Sequence, residues 1–229
     1  DRLRSVVVSN RGERGTVKDD RVEFGSVLAV ADWRRRVFAL YESVRAESDP
    51  AEAHAIWQAG RDELLTGHPA SPVPVEERDA YKGAEIGAYQ PELRFEVAID
   101  TDVEPVRWEV SSATDGVIPF TRAGVLHVPA VGDLDVWWLE SYGGGLFVPV
   151  KDSLAGKRTY GGGRYLLDTV KGADLGGDFR EGWLVVDLNF AYNPSCAYNP
   201  LWTCPLAPTG NTVAAALPVG ELTSTAADL

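Results

Sequence analysis

The chain of 229 residues lacks the features that direct a protein to a membrane or across it. It contains no run of about 18 apolar residues, so no transmembrane helix is indicated. It has no charged N-terminal segment followed by an apolar one, so no signal peptide is visible. We therefore expect a cytoplasmic protein without a membrane partner, although a leader that had been removed would leave no trace.

Basic charge is scarce as well. The formal net charge is -12 and the sequence pI is about 4.7, and lysine occurs only at positions 18, 82, 151, 157 and 171. Because binding to a phosphate backbone needs a dense basic patch, this composition argues against a nucleic-acid partner. The arginines at positions 34–36 form the only basic cluster, which we interpret as the solvated side of a helix start.

Side chains that bind metal ions are few. His54, His68 and His127 are dispersed and show no His-x-x-x-His spacing, so we predict no dedicated metal site. Cys196 and Cys204 have seven residues between them and form no Cys-x-x-Cys motif. No cofactor can be assigned from these residues.

The two cysteines leave several alternatives open. A structural zinc would need ligands from distant segments, and a disulfide is geometrically possible but disfavoured in the cytoplasm. A Cys196 nucleophile would need a base, for which His68 is the candidate. The sequence favours a plainer interpretation, in which both cysteines are small buried side chains in a loop punctuated by proline.

The N-terminal part of the chain predicts an arm followed by a first helix. Residues 1–29 are expected to form an arm or short strand around the apolar run at 6–8. From Asp32 to about Ala46, apolar residues recur at helical spacing. Asp32 is placed to accept the first free backbone amides and so to act as the N-cap.

A second helix has clearer start and stop signals. Asp49 can cap it, Pro50 suits the first turn, and Glu52 stands where it would complete a capping box. Gly67, as a left-handed C-terminal residue, and then Pro69 are expected to end it. The two predicted helices occupy residues 30–67.

From about residue 90 the apolar period drops to two, which indicates strands. The predicted strands lie at 93–99, 106–110, 116–120, 125–128, 134–139, 146–150, 164–167 and 183–190. Glycine-containing turns separate them, so a meander is favoured over alternating strands and helices. The sequence predicts a single, mainly β (α+β) domain: one curled antiparallel sheet, barrel or sandwich of about eight short strands, with two N-terminal helices packed against it.

Three segments carry a resemblance to a known family. They read WRRRVFALYESVR…RDELLTGHPASPV, FVPVKDSLAGKRTYGGGRYL and DLNFAYNPSCAYNPLWTCPLAPTGN, with Gly-Glu-Leu shortly after. From about Asp32 to Glu221 the chain resembles the bacterial domain-of-unknown-function family numbered 1684. The resemblance implies no catalytic residues, because the family is uncharacterised. Val150 and Leu188 stand where the family motifs usually have aromatics.

The glycine-rich segment at residues 151–165 is the first candidate site. It gathers Asp152, Tyr160 and Arg164 around four glycines, which let a loop approach a ligand closely. It has no phosphate-loop spacing, and a hairpin with ordinary surface charges is the alternative. We assign catalytic roles to Asp152, Tyr160 and Arg164.

The strand at 183–190 and the two Tyr-Asn-Pro turns after it form the second candidate site. Asp187 and Asn189 share one face of the strand and are either solvated or turned into a cavity. An enclosed Asp187 would have a raised pKa suited to general acid or base chemistry, so it joins the catalytic set. We expect ligand-binding roles for a second set of residues, namely His68, Asn189, Tyr192, Asn193, Cys196 and Tyr198.

Two functions are compatible with this pattern. In the first, the protein is a small-molecule enzyme in which Arg164 holds an anionic or carbonyl group while a carboxylate or Tyr160 moves a proton. In the second, it is a non-catalytic carrier of the lipocalin type with an aromatic-lined cavity. The number of ionisable groups slightly favours the enzyme; substrate and oligomeric state cannot be read from the sequence.

Overall fold

The computed structural model describes residues 24–112 and 116–223, and in them two helices pack with a single curled antiparallel sheet. The helices are α1 (Phe24–Ala46) and α2 (Pro50–Gly67). The strands are β1 (Arg94–Asp100), β2 (Arg107–Ser112), β3 (Gly116–Val128), β4 (Gly132–Leu139), β5 (Leu146–Val150), β6 (Arg164–Asp168), β7 (Gly177–Asp178) and β8 (Trp183–Asp187). The predicted fold class is confirmed. The apolar run at 6–8 lies outside the described residues.

The sheet is organised around the long strand β3. The strand order is β6-β5-β4-β3-β1-β8-β7, with β2 also paired to β3, and all pairs are antiparallel. The predicted strands at 116–120 and 125–128 are one strand, which is interrupted by a register shift between Arg122 and Gly124. An extra residue at such a shift bends a strand, which helps the sheet to curl.

Helix α1 begins earlier than the sequence pattern suggests. It starts at Phe24, so the residues at 24–29 are helical and Asp32 lies inside the helix. The prediction that Asp32 caps this helix is therefore wrong. Its carboxylate instead accepts hydrogen bonds from Arg36 Nε (2.9 Å) and His68 Nε2 (3.2 Å), which ties α1 to the end of α2.

The start of α2 confirms part of the predicted cap. The Asp49 carboxylate accepts from the N–H groups of Ala51 (2.8 Å) and Glu52 (3.3 Å). The reciprocal bond of a capping box comes from a different residue, because the Asp49 N–H donates to Glu47 Oε1 (2.9 Å). The prediction that Glu52 completes the capping box is therefore wrong. Glu47, which precedes the helix, accepts this hydrogen bond instead.

The end of α2 also differs in detail. Gly67 closes the helix without a left-handed φ, so that prediction is wrong. His68 turns to extended backbone (φ −81°) and its N–H donates to the Leu64 carbonyl. Neither of the two described helices has the length and apolar character needed to cross a bilayer.

Three groups of buried side chains hold the domain together. The largest lies between the sheet and the C-terminal segment, where Leu134, Leu188 and Val219 are fully buried. A second joins the helices to the end of β8 around Trp57 and Phe190. A third is aromatic and follows β3, β4, β5 and β6. The aromatic group forms one wall of the candidate site.

Candidate functional site

Asp152 and Arg164 of the glycine-rich segment are buried and contact each other. Arg164 is fully buried and donates to the backbone carbonyls of Leu217 (3.0 Å), Val219 and Glu221 (3.1 Å). Its Nη2 lies 3.7 Å from Asp152 Oδ1. Burial lowers the pKa of Arg164 to about 10, because desolvation outweighs the nearby carboxylates. Asp152 and Arg164 therefore bind residues 217–221 of the same chain.

The Asp152 carboxylate has further partners inside the protein. It accepts from the Thr159 hydroxyl (2.6 Å) and from the Leu217 N–H (3.0 Å). Thr159 is itself fully buried. The glycine-rich loop is thus folded onto Asp152, and both ends of the β5–β6 connection are joined to the C-terminal segment.

Asp187 and Asn189 form a separate buried pair at the end of β8. Asp187 Oδ1 accepts from the Asn189 N–H (3.0 Å) and side-chain amide (2.7 Å), and Oδ2 accepts from Tyr89 (3.2 Å). Burial raises the pKa of Asp187 despite these donors. The predicted strand at 183–190 ends at Asp187, and residues 188–190 turn. Asp187 lines a small pocket of about 100 Å³ beside the α1–α2 turn, apart from Asp152 and Arg164.

A third cluster is built around Arg61 and Glu221, two residues that the sequence did not single out. Arg61 pairs with Glu221 through Nε and Nη2, and the Glu221 carboxylate also accepts from the Asn193 N–H (2.6 Å) and the Tyr198 hydroxyl (2.8 Å). Burial alone would lower the pKa of Arg61, but the charge of Glu221 outweighs it and holds that pKa well above its usual value. The Arg61 guanidinium lies 4.8 Å from the centre of the Tyr192 ring.

Tyr160 and Cys196 contact each other near the second cysteine. The Tyr160 hydroxyl donates to Cys196 Sγ over 3.6 Å, and the Cys196 N–H donates to Cys204 Sγ over 3.4 Å. Both cysteines are free thiols and partly exposed. Cys196 is therefore hydrogen-bonded to both Cys204 and Tyr160.

His68 lies beside α1. Its Nε2 donates to Asp32, and its Nδ1 accepts from the Ala70 N–H (3.0 Å). Its ring also makes an edge-to-face contact with Trp33 at 5.3 Å. Both ring nitrogens are thus engaged where the chain leaves α2.

An opening of about 450 Å³ lies beside the aromatic group of the core, and we call it the aromatic cleft. Strands β3 to β6 supply its apolar wall, including Ile118, Phe120, Leu139, Phe147 and Tyr165. The turn after β6 and the loop at 203–205 close its sides, and Arg34 of α1 reaches its rim. A volume of this size suits a small organic molecule.

A smaller opening of about 60 Å³, which we call the inner pocket, adjoins the aromatic cleft. The two openings share Tyr165 and Lys171. Arg61, Tyr192 and Asn193 line the inner pocket, and Asn193 is 6% exposed. Among the described residues, no group donates a hydrogen bond to Asn193 Oδ1. A buried acceptor without a donor marks a place where a ligand or water would be stabilised.

Lys171 is the cation between the two openings. Its Nζ lies 3.6 Å from Asp168 Oδ2 and 6.0 Å from the centre of the Tyr165 ring, and its side chain is about half exposed. Lys171 and Arg34 therefore give the aromatic cleft two positive charges against the single carboxylate of Asp168.

The sequence-predicted residues are thus distributed over several places. Tyr192 and Asn193 line the inner pocket, and Tyr198 is hydrogen-bonded to Glu221 behind it. The remaining predicted residues, Asp152, Arg164, Asp187, Asn189, His68, Tyr160 and Cys196, do not line either opening. Within residues 24–112 and 116–223, no three His, Cys, Asp or Glu side chains are grouped closely enough to hold a metal ion.

Comparison with known proteins gives a family and structural relatives. A family model described as "Protein of unknown function (DUF1684)" matches residues 79–222. The range includes the strands, both cysteines and Glu221, whereas residues 32–78, which the resemblance also covered, lie outside it. No curated protein matches the chain.

The solution NMR structure of the uncharacterized protein from gene locus rrnAC0354 of Haloarcula marismortui is 28% identical to this chain. The match covers 75% of this chain and 95% of that protein, with a TM-score of 0.52. This similarity shows that the two proteins share a fold, and it indicates no activity.

Proposed function

The chain belongs to the family described as protein of unknown function (DUF1684), and we propose that it binds a small molecule with a flat apolar body and an anionic group. The apolar body would lie in the aromatic cleft. The anionic group would contact Lys171, with Arg34 at the rim as a second cation. The observation that carries the proposal is that Tyr165 and Lys171 are shared by an apolar opening and a more polar one.

The aromatic wall suits a flat ligand. Phe120 and Phe147 have ring centres 5.7 Å apart, and Phe147 meets Tyr165 edge-on at 4.6 Å. Rings held in this way present fixed apolar surfaces, so a flat molecule gains contact without ordering flexible side chains. Tyr142 at the rim is fully exposed, which leaves apolar surface free to cover a bound molecule.

Binding is favoured over acid–base catalysis by the partners of the predicted catalytic residues. Arg164 donates its hydrogen bonds to backbone carbonyls, whereas Asp152 accepts from the Leu217 N–H and the Thr159 hydroxyl. The two side chains also form an ion pair with each other. Asp187 lines a different pocket, so these three groups do not surround one substrate. The acid–base enzyme and the cytoplasmic location both stay predictions.

Fluorescence titration with anilinonaphthalene sulfonate tests the proposal, because this dye combines an aromatic body with an anion. We expect saturable binding to the folded protein. The Val117→Trp variant should weaken binding about tenfold, because the larger side chain would occupy part of the cleft that the dye fills. The matched control is Val75→Trp on an exposed residue outside the cleft, which should bind as the wild type does.

The charge of Lys171 is tested separately. Lys171→Gln should weaken the sulfonate dye about two- to fivefold, the range expected for a half-exposed ion pair, and should leave binding of the neutral phenylnaphthylamine unchanged. Lys82→Gln, at an exposed lysine away from both openings, serves as control. Equal binding of the dye to wild type, Val117→Trp and Lys171→Gln would exclude the aromatic cleft as the binding site.

A further inference from the structure

Cys196 and Cys204 are in direct contact. The Cys196 N–H donates to Cys204 Sγ over 3.4 Å, which places the Cys204 sulfur against the Cys196 backbone. Tyr160 donates to Cys196 Sγ. Two free, partly exposed cysteines in contact have the arrangement from which a reversible disulfide can form.

The segments that carry the two thiols are held to the rest of the domain. Cys196 lies in the short turn Ser195–Ala197, which is closed by hydrogen bonds to residues 194 and 195. The loop around Cys204 is joined to β6, because the Tyr165 hydroxyl donates to the Pro205 carbonyl over 2.7 Å. The Ala207 N–H also donates to the Gly162 carbonyl over 3.1 Å. The contact between the thiols is therefore fixed by the fold.

The thiol pair lies beside both openings. Thr203 and Pro205, on either side of Cys204, line the aromatic cleft. Pro194 and Ser195, just before Cys196, line the inner pocket. The cysteines themselves line neither opening, but a small organic molecule in either one would lie next to the segments that carry the sulfurs.

We propose that Cys196 and Cys204 are a redox-active dithiol that reduces small organic disulfides, with Cys204 as the attacking thiol and Cys196 as the resolving thiol. This proposal does not depend on the binding of an anionic ligand.

The exchange takes place in two steps. In the first, the Cys204 thiolate attacks one sulfur of R–S–S–R, the S–S bond breaks, and R–S⁻ leaves and takes up a proton. In the second, Cys196 loses its proton to solvent and attacks Cys204 Sγ, and the remaining R–S⁻ leaves and is protonated. The two cysteine sulfurs are oxidised by two electrons, and the substrate disulfide is reduced to two R–SH.

The surroundings of the two sulfurs assign these roles. Hydrogen bonds from the Cys196 thiol and N–H, and the charge of Lys171, lower the pKa of the Cys204 thiol although burial opposes them. The same thiol–thiol bond raises the pKa of Cys196. Tyr160 and Tyr165 also face the pair, and burial raises the pKa of both hydroxyls, so they are uncharged near neutral pH. Because the thiolate is the nucleophile, Cys204 attacks first.

The change in charge after the first step favours the second. In the mixed disulfide Cys204 carries no negative charge, so the interaction that opposed ionisation of Cys196 is lost. A thiol with a low pKa is also a good leaving group, which makes the Cys196–Cys204 disulfide itself readily reducible.

Incubation of the reduced protein with glutathione disulfide, followed by intact-mass spectrometry and peptide mapping, tests the proposal. The wild type should lose the mass of two hydrogen atoms and yield a peptide with Cys196 linked to Cys204. The Cys196→Ser variant should instead retain one glutathione on Cys204. A wild type that stays reduced, or that accumulates the glutathione adduct as Cys196→Ser does, would overturn the proposal, and this result requires no variant to fold.

The order of attack has its own readout. In the Cys196→Ser variant the rate of adduct formation should reach half its maximum below about pH 8.5, the value for an ordinary thiol. In the wild type, brief alkylation with iodoacetamide at about pH 7, read by peptide mapping, should modify Cys204 before Cys196. Alkylation of Cys196 first, or of both cysteines at the same rate, would contradict the assignment of Cys204 as the attacking thiol.

Discussion

At the scale of single residues, the domain depends on buried charges that are paired across long stretches of sequence. Arg61 of α2 meets Glu221 near the C-terminus, and the Glu221 side chain is fully buried. Tyr198 and the Asn193 N–H complete the hydrogen bonds of the carboxylate. A buried ion pair contributes little when it replaces a well-packed apolar pair, but loss of one partner is costly because the other charge stays buried.

Replacement of this carboxylate should therefore destabilise the fold strongly. Glu221→Gln keeps the shape and leaves Arg61 without a counter-charge, so we expect the free energy of unfolding to fall by about 3 kcal/mol in urea denaturation. Glu85→Gln removes the exposed partner of Arg158 and should change it by less than about 1 kcal/mol. Equal effects in the two variants would show that the Arg61–Glu221 pair is not desolvated as described.

The residue scale also shows where prediction of the site succeeds and fails. Asp152 and Arg164 were grouped because they are close in sequence, and they do meet in the structure. Both also bind backbone groups between residues 217 and 221, and no side-chain pattern marks a backbone group. From the sequence alone, a buried arginine that binds backbone groups looks the same as an arginine that faces a ligand.

At the scale of elements, local signals predicted most helices and strands because each signal acts through near neighbours. Alternating apolar residues indicated β1 and β2, and the Asp49–Pro50 pair indicated the start of α2. The start of α1 was missed because Gly25, Val27 and Val30 are weak helix formers, so residues 24–31 gave little helical signal in the sequence. The continuity of β3 through its bulge depends on pairing with β1, β2 and β4, which is non-local.

The cap of α2 offers a test at this scale. Asp49→Ala removes the acceptor for two helix N–H groups, so we expect about 1 kcal/mol less stability in chemical denaturation. Asp79→Ala, at an exposed position outside the helices, should have an effect within about 0.5 kcal/mol. A larger loss in the control than in Asp49→Ala would contradict the capping role.

At the scale of the whole molecule, the candidate binding site exists only because distant segments meet. The aromatic cleft combines β3 to β6 with the turn at 168–171, the loop at 203–205 and Arg34 of α1. No single segment carries a recognisable motif for it. Trp137 of β4 belongs to the core instead, because its indole N–H donates to the buried Asn211 side chain (2.8 Å).

Net charge also acts at this scale. The chain carries a formal charge of -12, which would repel an anion at long range. At physiological ionic strength such interactions are screened within about 8 Å, so the nearby Lys171 and Arg34 dominate at the cleft. An anionic ligand is therefore compatible with an acidic protein, provided that its charged group lies next to these two side chains.

The most direct test of ligand binding in the aromatic cleft is a map of backbone amide chemical shifts during titration with anilinonaphthalene sulfonate. We predict saturable shifts that are largest at Phe120, Leu139 and Phe147 and extend to Lys171. The exposed Phe179 at the other end of the sheet provides an internal comparison and should remain unchanged. Shifts centred on Phe179, or none that saturate, would contradict the proposed function.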